Sequence, residues 1–366
     1  MKITNSMRIE IYSFFSGLGL LDLGFENVGF DIVFVDEVNP KFLYAYQFAR
    51  RHKSHEPRYG YSCRDIREFL SEDTWNSIFP DYKLRKDIVG FIGGPPCPDF
   101  SVAGKNAGAN GENGQLTTAY VELICRRLPD FFVFENVKGL YRTKKHREYY
   151  ESVKTKLHNS GYQLFDSIEN ALEYGTPQYR DRLILIGLNE KRFSKDIEYS
   201  IGKNRCYNLK NVLSVKWPKT DTYVKNGKLP LPLGLINELT VQYWFDRNDV
   251  MLHFNCDDIF QVKNAYRYET IPEGYTSSKS FKRLHRWRYS PTAAYGNNEV
   301  HLHPFLPRRI SVAEALAIQS LPKDFELPKE LPLSLKFKMV GNGVPYLLSL
   351  GVARELMQWL EKYKEE

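Results

Sequence analysis

The stretch "GFIGGPPCPDFS", residues 90–101, places two glycines and two prolines directly before a cysteine, Cys97. Proline fixes φ near about −65° and pushes the preceding residue out of the helical region, while glycine permits a sharp exit from a strand. The outcome is a stiff arm presenting one thiol. A second group of chemical interest closes the apolar run "FFVFEN", which ends in Glu135 and Asn136. A carboxylate at the end of a buried strand requires a partner or a task. A thiol and a carboxyl at neighbouring strand ends would form a nucleophile and an acid facing one substrate. Two blander readings stand beside this one. Most free cysteines are small buried hydrophobes, and Glu135 could simply be ion-paired with Arg180 or Arg182.

A third group is "FFSGLGLLDLGF", residues 14–25. Gly17 and Gly19 allow a tight turn between a strand and a helix and a close approach of ligand to backbone. About 20 residues on, a strand ends in Asp36 and Glu37, where an acid ordinarily holds a ribose hydroxyl. There is no GxGxxG and no basic phosphate cradle, which favours a nucleoside cofactor without phosphates over a dinucleotide.

The elements that must position these groups alternate. Strands are predicted at "IEIYSF" (9–14), "DIVFV" (31–35), "DIVGFI" (87–92) and "FFVFEN" (131–136), with a weaker one in "YGYSC" before Asp65. Helical patterns fall at 41–50 and 117–127. Alternating β and α argues for a doubly wound, mostly parallel α/β sheet, with ligands beyond the carboxyl ends of its strands. "YQLFDSIENA" and "DRLILIGL" form a predicted closing pair around the turn "YGTPQYR". Residues 191–300 are irregular, aromatic and basic, and read as an inserted second domain. Regular patterning returns at 311–321, which opens with a Ser311/Glu314 capping box, and the chain ends in an amphipathic helix.

Composition bounds the function classes. The 366 residues carry a net charge of +7, and 42% are hydrophobic. Between residues 191 and 310 there are 20 Lys and Arg against 11 Asp and Glu, so the whole basic surplus sits in one region, as expected for a polyanion partner. The five cysteines are dispersed, with no CxxC pair, which argues against a disulfide framework or a metal site. No apolar run is long enough to span a membrane. The dispersed cysteines point to a reducing interior, so a cytoplasmic location is expected.

In order along the chain, "FFSGLG", "DEVN", "RDI", "GGPPCPDFS", "FENV", "QYRDR", "RRISVAEALAIQSLP" and "GNGVP" resemble the motif series of the DNA cytosine-5 methyltransferase family, of the bacterial or phage restriction-modification type. The resemblance covers most of the chain outside 191–300. It implies a seven-stranded S-adenosylmethionine-dependent methyltransferase sheet in residues 1–195, a smaller irregular target-recognition domain with its hinge in 196–324, and a return to the catalytic domain in 325–366. It further implies that Cys97 is the nucleophile that adds to carbon 6 of a flipped-out cytosine. Glu135 contacts N3, and Arg180 and Arg182 hold Glu135 and the base. S-adenosylmethionine is expected against Phe15, Ser16, Gly17, Leu18, Gly19 and Leu20, with Glu37 on its ribose, Val38 on adenine, Asp65 on the adenine amino group and Ile66 beside it. Leu116, Asn342 and Val344 complete that site. Double-stranded DNA is expected at Ser101, Gln178, Arg283, Arg286 and Arg288. No metal is expected. A monomer that works alongside a cognate restriction endonuclease is the expected state.

Three departures from the family pattern stand out. Pro98 follows the nucleophile where glutamine is usual, Ala313 stands where an arginine would pair with Glu314, and "GANGENGQL" lacks the arginine common before Leu116. The rival readings are the RNA-methylating branch of the family, whose Cys-Phe-Thr element does not occur here, and a catalytically inactive DNA-binding relative.

Overall fold

The computed structural model describes residues 8–53, 56–96, 112–142, 144–193, 198–261, 266–278, 280–293, 295, 299 and 301–365. Cys97 and Ser101 lie outside the described residues.

Seven strands form one sheet: β1 (Ile9–Phe14), β2 (Asp31–Asp36), β3 (Tyr61–Ser62), β4 (Ile88–Gly93), β5 (Phe131–Val137), β6 (Tyr162–Asn170) and β7 (Asp181–Asn189), in the order β3-β2-β1-β4-β5-β7-β6. The first five are parallel, and β7 runs antiparallel to both β5 and β6. The strand order reverses between β1 and β4, so a crevice opens at their carboxyl ends. The expected strands are all present, with ends differing by a residue or two, and "YGYSC" supplies β3.

The strands read as near-continuous apolar runs because both faces of the sheet are covered. On one face β1, β4 and β7 pack against α1 (Leu20–Glu26), α2 (Pro40–Ala49) and the chain's last helix. On the other they meet α3 (Glu72–Ile78), α4 (Glu112–Arg127), the short α5 (Gly139–Arg142) and α6 (Lys144–Asn159). Asn39 caps α2 from outside, with Pro40 at its first position, and Ser71 caps α3.

From residue 198 to about 310 regular structure is sparse among the described residues: α7 (Leu209–Ser214), α8 (Val241–Arg247), α9 (Tyr266–Glu269), and a two-stranded ladder of β8 (Lys282–Arg283) with β9 (His301–Leu302). Three helices follow: α10 (Val312–Ile318), α11 (Leu333–Asn342) and α12 (Tyr346–Glu365). The predicted capping box at Ser311 and Glu314 opens α10. Helix α12 returns to the sheet. Its Ser349 hydroxyl donates to the Leu21 carbonyl, and a Cβ on Gly24 would sit 2.2 Å from that Ser349 oxygen, so only glycine lets α1 and α12 approach so closely.

Candidate active site

Beyond the carboxyl ends of β1, β2, β4 and β5 lies a cleft of about 1260 Å³, bounded across from the sheet by Gly274, Lys282, His285, Arg288 and Thr292 among others and by the α11–α12 junction. One end is built by the turn after β1. Phe15, Gly17 and Gly19 all have left-handed backbone, with φ of 52°, 58° and 74°. Such φ is uncommon for a bulky residue and recurs where a loop is held for function. The Ser16 hydroxyl is tied to Ser13 and to the Asp36 carbonyl. A Cβ at Gly17 would meet nothing nearer than 4.0 Å, so this glycine faces open cleft. Gly19 turns the other way. A Cβ there would lie 2.3 Å from the Tyr46 ring, and its carbonyl accepts from Arg50.

Glu37 faces this turn. One carboxylate oxygen accepts from the Gly17 amide and the other from the Asn39 amide, each at 2.9 Å. Burial pushes its carboxyl up from the usual range, against the pull of those two amides. Val38 beside it is 58% exposed although apolar. Leu116 and buried Ile66 and Val344 supply further apolar wall, with Asn342 at the rim. Of the thirteen residues expected at the cofactor, all but Gly19 line the cleft. Asp65 lines it too, but its carboxylate already caps the short helix Ile66–Leu70 and chelates the Arg67 guanidinium at 2.7 and 2.6 Å.

These residues fit S-adenosylmethionine. A carboxylate held by two backbone amides suits vicinal ribose hydroxyls, the apolar plates suit a purine, and the open side of Gly17 leaves room for a ligand against the backbone. Two further acids line the cleft floor. Asp22 accepts from the Tyr46 hydroxyl at 2.9 Å, and burial raises its carboxyl to about 6. Asp36 accepts from the Arg64 amide, and burial raises it to about 7. Asp36 is one of the two strand-end acids expected near a ribose, whereas Asp22 carries no such expectation, because an acid inside a helix gives no positional signal.

At the other end, antiparallel pairing sets Arg182 opposite Val137, and therefore diagonal to Glu135 on the same sheet face. The Arg182 Nε lies 2.6 Å from Glu135 Oε1. Burial nevertheless raises the Glu135 carboxyl, with Arg182 and Arg180 pulling the other way. A Cβ on Gly94 would sit 2.6 Å from Glu135 Oε2, so the glycine lets the chain leave β4 across the face of that carboxyl. The Asn136 amide donates to the Pro95 carbonyl, which fixes the arm leading toward Cys97.

Arg180 is buried and joins three segments. It donates to the Ala293 and Gly341 carbonyls at 3.0 and 2.6 Å and to the Gln178 side chain. Arg180 lines the cleft, and its Nε is buried with no hydrogen-bond partner among the described residues. Burial beside a second guanidinium holds Arg180 well below the usual arginine range.

Three residues expected at DNA are placed otherwise. Arg283 is fully buried, and its guanidinium donates to the carbonyls of Tyr268, Ile271, His303 and Leu306. Arg286 forms a two-pronged pair with buried Glu273, both contacts at 2.8 Å, and donates to the Gly227 carbonyl. Gln178 is buried among Gln319, the Ala293 amide and Arg180. All three brace the protein from inside, because a region with so few ladders must satisfy its carbonyls with side chains. Arg288 does line the cleft. The expected loss of a salt bridge at Glu314 is also corrected: Arg308 takes the place of the missing arginine, reaching both carboxylate oxygens at 2.8 and 2.7 Å.

Known proteins are similar to this chain over nearly its full length. The Type II methyltransferase M.NmeDI of Neisseria meningitidis serogroup C is 52% identical over 360 residues, covering 97% of this chain and 85% of that protein. M.FnuDI of Fusobacterium nucleatum, also a Type II methyltransferase, is 29% identical and covers 98% of each chain. A solved E. coli structure, described as a prophage-encoded DNA modification methyltransferase, superposes with a TM-score of 0.68 at 21% identity, over 96% of this chain and 99% of that one. The model of the C-5 cytosine-specific DNA methylase family matches residues 9–358, so the chain belongs to that family and is a DNA (cytosine-5) methyltransferase that uses S-adenosylmethionine.

Proposed function

We propose that the enzyme methylates carbon 5 of a cytosine swung out of a specific double-stranded sequence, through a transient bond between Cys97 and carbon 6. The observation that carries this reading is Glu135: a buried carboxyl with raised proton affinity, held by Arg182 at the cleft and crossed by the Gly94–Pro95–Pro96 arm that leads directly to Cys97.

The chemistry follows from these side chains. The Cys97 thiolate adds to C6, and the electron pair of the C5–C6 double bond moves toward C5 and N3. Glu135 gives a proton or hydrogen bond at N3 and so stabilises that charge. When bound, S-adenosylmethionine supplies an electrophilic methyl group. Once the methyl has passed to C5, with the cofactor's thioether as leaving group, a base removes the C5 proton, the C5–C6 double bond re-forms, the Cys97 sulfur leaves as thiolate, and the proton lent to N3 returns to Glu135. Arg180 and Arg182, which both line the cleft, hold Glu135 and the base, with a guanidinium donating at the base's O2 edge. Flipping the base costs a few kcal/mol of stacking, which is offset by contacts of DNA with the region 196–324. That region is the target-recognition domain between a catalytic part, 1–195, and the returning segment, 325–366. The thiol needs activation, since an ordinary cysteine is mostly protonated at neutral pH.

The names of the relatives point to a Type II restriction-modification pair. The enzyme would then protect its host's DNA from a cognate endonuclease, as a monomer working in the cytoplasm at the nucleoid. A duplex containing 5-fluorocytosine, incubated with enzyme and S-adenosylmethionine, should give an adduct that survives denaturation, and Cys97→Ala should give none. An adduct that persists in Cys97→Ala would overturn the covalent step. Glu135→Gln should retain cofactor binding and lose about 10²–10⁴-fold in turnover. Bisulfite or nanopore mapping of DNA from cells expressing the chain would identify the methylated sequence.

A further inference from the structure

With Arg283 and Arg286 turned inward, the basic surplus of the second region must meet DNA elsewhere. Between residues 216 and 233 the chain carries four lysines, no arginine and one acid, Asp221. Lys216, Lys219, Lys225 and Lys228 are all exposed. Asp221 is engaged by His285 at 2.8 Å, and among the described residues no ion pair involves any of the four lysines. This contrasts with α6, where Lys154 and Lys156 are paired with Asp166 and Glu122.

The same segment ends in "LPLPLG", whose Leu231 and Leu233 are exposed, Leu233 fully so. It is held rigidly. Trp287 donates to the Leu229 carbonyl, Arg286 to the Gly227 carbonyl, and the Asn226 amide to the Phe305 carbonyl. It also continues the cleft wall. Asp221 pairs with Glu273 in a backbone bridge, and a Cβ on Gly274, which lines the cleft, would meet the Lys219 carbonyl at 2.3 Å.

We infer that residues 216–233 form the DNA-facing surface of the second region, with Lys216, Lys219, Lys225 and Lys228 on backbone phosphates and the Leu231–Leu233 tip in apolar contact with bases. Unpaired, exposed lysines beside a cleft that must admit a polyanion are the electrostatic footprint of duplex binding. Apolar tips on a proline-stiffened loop suit contact with thymine methyls or a disturbed base step. The inference rests on the reading of the chain as a duplex-modifying enzyme.

The test is a salt titration of duplex binding by fluorescence anisotropy on the full chain. Each phosphate contact contributes about 0.9 to the slope of log K against log[salt]. Lys225→Gln/Lys228→Gln should lower that slope by about 1.8 and weaken binding at ~0.1 M salt by at least about tenfold, with the affinity for S-adenosylmethionine unchanged. Lys83→Gln/Lys86→Gln, an equal charge change on exposed lysines before β4, should leave the slope at the wild-type value. Leu233→Ala should keep the slope and reduce the preference for the methylated sequence over unrelated duplex. Equal slopes for wild type and Lys225→Gln/Lys228→Gln overturn the proposal, as does a Leu233→Ala effect confined to self-association in sedimentation. Failure of the wild type itself to bind duplex would instead defeat the parent reading.

Discussion

The sheet and the region that faces it across the cleft are both well buried, yet different forces hold them. Along β4 and β5, Ile88, Val89, Phe91, Ile92 and Phe131 to Phe134 are essentially inaccessible, and their backbone groups are satisfied by neighbouring strands. Between 268 and 306 the inaccessible side chains include Glu273, Arg283, His285, Arg286, His301 and His303. There several backbone groups are satisfied by guanidinium and imidazole groups instead, those of Arg283, His285 and His303. One region is stabilised mainly by area removed from water, which tolerates exchange of similar apolar residues. The other depends on specific polar partners, where losing one strands several. A catalytic scaffold can thus stay constant while the facing wall is shaped by individual side-chain contacts.

The most severe way to test this contrast is Arg283→Leu. It removes the donor from four carbonyls, those of Tyr268, Ile271, His303 and Leu306, at roughly 1–3 kcal/mol for each group left unsatisfied. We expect local collapse. Limited proteolysis should cut within 220–310 and duplex binding should vanish, while S-adenosylmethionine still binds the sheet. Loss of cofactor binding in parallel would show that the two regions are not separable in this way.

Leu185→Ala, in the middle of β7 and fully buried, should behave oppositely. A cavity of that kind costs about 2–5 kcal/mol. Because β7 pairs with both β5 and β6, urea unfolding should shift to a lower midpoint for every probe together, cofactor and duplex binding alike. A variant that lost duplex binding first would contradict the contrast.

How much of this was legible in the sequence follows the same division. Strands β1, β2, β4, β5 and β7 announce themselves as apolar runs because both sheet faces are covered. The β1 turn was legible because left-handed backbone favours glycine at 17 and 19. The helix at Ser311 was legible from its cap. In the second region the basic surplus and the family resemblance put Arg283, Arg286 and Arg288 at DNA, and the structure turns Arg283 and Arg286 inward. Nothing local distinguishes an arginine that solvates a surface from one that satisfies carbonyls 12 to 23 residues away. The partner of Glu314 was missed for a related reason: the motif offered Ala313, and Arg308 reaches the same carboxylate from six residues upstream. The lysines at 216–228 lay in plain view but carried no motif.

The smallest expected effect tests the contrast inside the sheet itself. Asp36 ends β2, is 3% exposed, and has its proton affinity raised by burial to about 7 from 3.8, with Glu37 and Glu68 adding to the rise and hydrogen bonds from Ser62 and Arg64 opposing it. In the interval between those values the folded protein holds a proton that the unfolded chain has released, so stability falls as pH rises through it. The stabilisation is complete below about pH 4 and gone above about pH 7. A shift of this size corresponds to an upper limit of ~4 kcal/mol, and with water reaching the cleft we expect about half of that. Asp36→Asn keeps the acceptor for the Arg64 amide and removes the titration. In cofactor-free protein its urea midpoint should therefore change less between pH 4.5 and 8 than that of the wild type, and the variant should be the more stable of the two at pH 8. Parallel curves would mean that Asp36 is ionised at neutral pH at no cost, and that the sheet, like the wall across the cleft, meets its buried acids with polar partners.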